Sequence, residues 1–162
     1  MTKRCYASSI KEIASIVNPT AGKMDFRSDT VTRPCKKMRD AMANSVLGDD
    51  IYGDCPTTNK LQRDVADLFG KEAAILCSSG VQANLIAMMV LAQKKGESII
   101  MGDDSHLMHY ERGGMASIGS IMPRALRNNP DGTIDLKDIE FNIPTIEAPH
   151  IVPPRAIALE TS

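Results

Sequence analysis

The sequence predicts an α/β fold, a mostly parallel sheet flanked by helices, and three observations predict it. Apolar runs at Ala73–Cys77, Ser98–Met101 and Arg155–Glu160 are too short for helices and read as strands. Segments of helical period lie between them. Glycines at the ends of the helical segments, Gly70 and Gly96, supply stops of the kind that return a chain to a sheet.

Each element has a local reason. Pro34 opens a segment to Asn44 with Met38, Ala41 and Met42 on one side and Lys36, Lys37, Arg39 and Asp40 on the other, an amphipathic helix. Gly48–Pro56 is rich in turn formers and reads as a loop. Thr57 or Thr58 caps a second helix, whose apolar positions are Leu61, Val65, Leu68 and Phe69. After the strand at Ala73–Cys77, residues Val81–Lys95 are apolar nearly all round, which predicts a helix buried on several sides. The strand Ser98–Met101 leads through a loop to a helix over His106–Ala116, weakened by Gly113 and Gly114. A weak strand at Ser120–Met122, a turn at Asn128–Gly132, a short helix at Asp135–Phe141 and the strand Arg155–Glu160 complete the series. There are no repeats and no low-complexity tracts.

The 162 residues carry 19 basic and 20 acidic side chains, and aromatics make up 4% with no Trp. Near-zero charge without a basic face argues against a nucleic-acid binder. No apolar run reaches the roughly 18 residues that a membrane helix needs. Cys5, Cys35, Cys55 and Cys77 are widely spaced and read as reduced thiols, so the expected location is cytoplasmic. Residues 1–24 hold Lys3, Arg4 and Lys11 ahead of a short Ile10, Ile13, Ile16 pattern, without the continuous apolar stretch of a secretory signal. They read as an N-terminal extension, frayed rather than packed, ahead of a domain over 25–162.

Two strand ends carry suggestive chemistry. Ser78, Ser79, Gly80 and Val81 join a strand to a helix. Gly80 lets backbone approach a ligand, Ser79 offers a hydroxyl, and the helix start presents free N–H groups that suit a phosphate. The plain alternative is a helix cap. Asp104, Ser105 and His106 follow the next strand, where an imidazole could stack on a flat ligand or move a proton. The spacing of His106 and His109 within one helical turn is a weak metal signal, and no metal site is expected.

Together these motifs resemble the low-specificity L-threonine aldolases, pyridoxal-phosphate enzymes of the aspartate aminotransferase fold type. The resemblance begins at Phe26, Arg27, Ser28, Asp29 and Thr30 through Arg33 and Pro34. It continues through Gly48–Asp54, Pro56 and Thr57, Gly70–Ala74, and Ser79, Gly80, Gln82 and Asn84. Asp104–His106, Tyr110 and Glu111, and Ala158–Thr161 complete it. It implies that the chain is the N-terminal half of a pyridoxal-phosphate-transferase-type large domain. It further implies that Ser79, Gly80 and Val81 hold the phosphate of pyridoxal 5'-phosphate and that His106 stacks on its ring. Ser28 would bind the substrate carboxylate, and Tyr52 would lie near it. The substrate would be a small β-hydroxy-α-amino acid, threonine or allo-threonine, cleaved to glycine and acetaldehyde. The full-length protein would be a homo-oligomer that engages neither nucleic acid nor membrane.

Two departures qualify the resemblance. Val81 stands where the family usually has Thr, which removes a hydroxyl from the phosphate site. The family's Schiff-base lysine, the aspartate on the pyridine nitrogen and a second histidine fall beyond Ser162. Lys36, Lys37, Lys60, Lys71, Lys94, Lys95 and Lys137 lie among polar residues, where none would be the neutral amine such chemistry needs. The expectation is that this chain alone is inactive. The alternative is a non-catalytic fragment that pairs with full-length subunits. On either reading the isolated chain, with its strand edge and apolar faces underprotected, is expected to aggregate or to need a partner.

Overall fold

A computed structural model describes residues 28–146 and 148–160. The extension over 1–24, Cys5, the Phe26–Arg27 part of the first motif and Thr161 lie outside the described residues. The chain divides into two units, residues 1–64 and 65–162.

In the first unit a 3₁₀ turn at Asp29–Val31 precedes helix α1 at Lys36–Ala43. Helix α1 buries none of its residues, and Met38 and Met42 remain exposed. The loop that follows is built on Asp49 and Asp54. The Asp54 carboxylate accepts the Asp49 N–H, and the Asp49 carboxylate accepts the N–H of Ile51 at 2.9 Å. Helix α2, Pro56–Phe69, begins in this unit with Thr57 Oγ1 donating to the Val46 carbonyl at 2.6 Å.

The second unit centres on a three-stranded sheet. After helix α3 (Gly80–Leu91) come β1 (Ser98–Gly102), the short helices α4 (His106–His109) and α5 (Gly114–Ser117), and β2 (Met122–Leu126). Helix α6 (Leu136–Phe141) and β3 (Pro154–Ala158) complete it. The strand order is β2-β1-β3, with both pairings parallel. The expected fold class, a parallel sheet flanked by helices, is therefore the one observed.

β1 is buried along its whole length. Its alternation divides the core in two. Ile99 and Met101 pack with Met88, Ala92, Met115 and Ile121 on one side, and Ile100 packs with Ile134 and Ile139 on the other. Each isoleucine or methionine side chain contributes about 1.5–3 kcal/mol when fully buried. A strand covered on both faces reads as a continuous apolar run, as Ser98–Met101 does.

The β1–β3 register slips between Ser98 and Ile99, whose partners are Pro154 and Ala156. Arg155 is the extra residue, and its Nε donates to Glu97 Oε1 at 2.7 Å. The other Glu97 oxygen accepts the Lys94 N–H at 3.0 Å. That N–H, with Arg155 behind it, holds the Glu97 carboxyl below the usual carboxylate range despite its burial. On the far edge, Arg124 of β2 donates to the carbonyls of Asn142 and Val152 at 2.6 and 3.0 Å, tying α6 and the loop beyond it to the sheet.

Four expectations need correction. Ala73–Cys77 joins no strand ladder among the described residues, and Ile75 is 71% exposed. A strand exists only with a partner, and apolar composition cannot provide one. Helix α3 stops at Leu91 rather than Lys95 and buries only Met88, while Val90 and Leu91 are more than half exposed. The helix expected over His106–Ala116 is broken into α4 and α5. Arg112 and Gly113 there adopt left-handed φ of 56° and 66°, which stop helical hydrogen bonding. The weak strand at Ser120–Met122 lies further on, as β2. Ser120 has φ 55° and turns the chain into β2, while Pro123 is accommodated because β2 is an edge strand with one neighbour.

Candidate functional site

The corner at Ser79–Val81 is a helix start with its caps in place. Ser79 Oγ accepts the Gln82 N–H at 3.1 Å, and Gln82 Oε1 reaches back to the N–H and hydroxyl of Ser78, each at 2.8 Å. The Ser79 bond is the N-cap contact that favours helix initiation. It also engages the Ser79 oxygen, so the plain cap expected from the sequence is present. The N–H groups of Gly80 and Val81 meet no acceptor among the described residues and stand at the positive end of a 12-residue helix. A Cβ at Gly80 would touch nothing within 4 Å. The corner is open, and two amides remain available to an anion.

His106 is the first residue of α4, four residues past the carboxyl end of β1. Its N–H donates to Glu160 Oε2 at 2.9 Å, which anchors the turn to the chain beyond β3. Its ring is about half exposed and lies 5.5 Å, centroid to centroid, from Tyr110. Nδ1 is 2.9 Å from Glu111 Oε1, and Asn84 Nδ2 donates to the same oxygen at 2.7 Å. Glu111 is 6% exposed. Asn84 lies one turn into α3 from the Gly80 corner, so a single buried carboxylate oxygen connects the imidazole to the helix that carries the corner.

At the carboxyl ends of the three strands is a hollow of about 580 Å³ lined by Gly102, Ser105, Arg127, Asn128, Ala158 and Glu160, among others, but not by His106 or the Ser79–Val81 corner. Open α/β sheets bind ligands outside such strand ends. Asn128 shapes its wall: Oδ1 accepts the Asp104 N–H at 3.0 Å and Nδ2 donates to the Gly132 carbonyl at 3.0 Å. A Cβ at Gly102 would sit 2.1 Å from Asn128 Oδ1, so any larger residue there must displace the Asn128 side chain. Ser105 Oγ is buried at the edge of this hollow with no hydrogen-bond partner among the described residues.

The two residues expected near substrate belong to the first unit. Ser28 Oγ lies 2.9 Å from Thr30 Oγ1 and accepts the Thr30 N–H at 3.2 Å. Tyr52 is 82% exposed in its loop. Every described lysine is exposed, and Lys36 and Lys60 pair with Asp40 and Asp64 four residues on. Among the described residues no three of His, Cys, Asp and Glu converge as metal ligands would. No helix among them is long and apolar enough to cross a membrane.

Asn84 and Glu111 received no role from the sequence. A signal was available: Gln82 and Asn84 are the only polar side chains in α3, and both turn out to be hydrogen-bonded near its start.

These features define a parallel α/β domain with an open helix-start corner and a carboxylate-held imidazole at the carboxyl end of its sheet. A family model described as beta-eliminating lyase matches residues 25–162, and the chain belongs to that family. It is 45% identical over 120 residues to low-specificity L-threonine aldolase 1 of Arabidopsis thaliana, covering 74% of this chain and 34% of that protein. It is 42% identical over 139 residues to the low specificity L-threonine aldolase of Escherichia coli K12, covering 86% and 41%. The chain thus spans well under half the length of these relatives. A Listeria monocytogenes protein solved as a candidate L-allo-threonine aldolase superposes with a TM-score of 0.56 at 24% identity, covering 74% of this chain and 32% of that one, a likeness of fold.

Proposed function

We propose that the protein to which this chain belongs is a pyridoxal-phosphate-dependent aldolase that cleaves threonine or allo-threonine to glycine and acetaldehyde. The Cα–Cβ bond breaks, the β-hydroxyl loses its proton as the aldehyde forms, and Cα gains one. When bound, the cofactor supplies an electron sink for the pair left by that cleavage. The residues present fit such a group. The free N–H groups of Gly80 and Val81 suit its phosphate, and the half-exposed His106 ring suits its flat face. The observation that carries this reading is the pair of hydrogen bonds through Glu111 that joins the ring to the corner-bearing helix.

Ser28 and Tyr52 are assigned to the substrate, Ser28 toward its carboxylate. Among the described residues no lysine is suited to anchor the cofactor, because a neutral amine near pH 7 requires desolvation or a neighbouring cation, and each of these lysines is exposed. By itself this chain is inactive, and its homo-oligomeric, cytoplasmic character belongs to the full-length form. Absorbance titration with pyridoxal 5'-phosphate, followed by borohydride and mass analysis, tests the reading. Reversible binding weakened by Gly80→Pro, with no reduced lysine adduct and no glycine formed from threonine, is expected. Threonine cleavage by the chain alone would overturn the proposed inactivity, and absence of binding would remove the cofactor.

A second reading is favoured by the exposed Ile75, Leu76, Val90 and Leu91: a non-catalytic fragment that pairs with full-length subunits. Co-elution with a full-length aldolase subunit, lost in Val90→Lys, would support it over the first.

A further inference from the structure

We infer that Glu111 is a positioning residue that sets the tautomer and orientation of His106, tethered through Asn84 to the helix that carries the phosphate corner. The inference rests on the proposed cofactor site and goes beyond it, because it gives Glu111 and Asn84 a role on the imidazole rather than on the cofactor. A buried carboxylate accepts hydrogen bonds and donates none, and an amide nitrogen only donates. Asn84 Nδ2 therefore occupies one lobe of Glu111 Oε1, and His106 Nδ1 must carry a proton to occupy the other. The neutral ring is then the Nδ1–H tautomer. Its Nε2 lone pair lies on the ring side away from Nδ1, where it can accept a proton or a hydrogen bond.

The ring alone would not be fixed this way. It is about half exposed, and its α4 helix is four residues long, with a left-handed break at Arg112 and Gly113 soon after. Glu111 lies just before that break and is 6% exposed. A buried charge is tolerated only where it is hydrogen-bonded, so its two donors are needed for the local fold as well as for the ring. Since both donors share one oxygen, movement of α3 at the corner alters the bond that orients the imidazole.

The test is nitrogen-15 NMR of the side chains, read on the neutral ring, with the His106 signals assigned by a His106→Gln variant. In the unmodified chain the expected result is a protonated Nδ1 and an unprotonated Nε2. The opposite tautomer overturns the inference with no variant needed. Glu111→Leu removes the acceptor and is expected to lose the Nδ1–H preference, while retention of that preference overturns the role. Asn84→Leu is expected to shift the Nδ1 resonance, because the shared oxygen loses its other donor; an unmoved resonance overturns the tether. Adding pyridoxal 5'-phosphate separates the two claims. Unmoved His106 signals with the expected tautomer in place sink the cofactor reading and leave the positioning role standing.

Discussion

β1 and α3 are both apolar segments of one unit, and their side chains end in opposite environments. Ile99, Ile100 and Met101 are fully buried, whereas Val90 and Leu91 of α3 are 61% and 52% exposed. The difference lies in neighbours rather than in hydrophobicity. β1 has a strand on each side and an apolar cluster on each face. α3 offers Met88 to that core and has nothing among the described residues over its outer face. Burial is a property of an arrangement, and an apolar helix without a cover is surface awaiting one.

The contrast can be attacked from its strongest side first. Ile100→Ala should cost about 2–5 kcal/mol by urea denaturation, the range for removing a buried aliphatic side chain. Gly102→Ala should cost about 1–3 kcal/mol, because the new methyl group displaces Asn128 and the wall it builds. A loss below half a kilocalorie would show that this wall yields freely. Next comes acid. The Glu97 carboxyl titrates lower in the folded chain than in the unfolded one, so its stabilising contribution is complete above the ordinary glutamate value of about 4.3. That contribution falls away as pH drops through the lower folded value. Arg155→Met should flatten this part of the profile of urea midpoint against pH. The smallest stability change is expected for Val90→Lys, within about 0.5 kcal/mol as for other exposed sites. The same variant should nevertheless reduce self-association in light scattering. If the unaltered chain is already a monodisperse monomer, the outer face of α3 is not an association surface.

The fold class was readable because parallel strands and intervening helices leave different periodicities in the chain, and α2, α6 and β1 follow them closely. Pairing was harder to read. Nothing in Ala73–Cys77 distinguishes a run with a ladder partner from one without, and nothing in Val81–Leu91 states which faces will be covered. Backbone conformations such as φ 55° at Ser120 and 56° at Arg112 are equally silent in a sequence, since neither residue is a glycine. Of the candidate site, His106 and the Ser79–Gly80 corner were legible from their position after apolar runs. Glu111 was not, because a glutamate five residues past a histidine is commonplace and acquires meaning only when Asn84 arrives from a helix 27 residues earlier.

The central position of β1 also gives the sheet an order of assembly. β2 returns to it after one crossover, whereas β3 must close a far longer loop across its other edge. Loop closure costs entropy that grows slowly with length, and contacts between distant parts of a chain form late. β1 and β2 should therefore zip together first, leaving β1 with one bare edge until β3 docks. During synthesis on the ribosome, that edge stays open to other chains until nearly the whole of this segment has emerged.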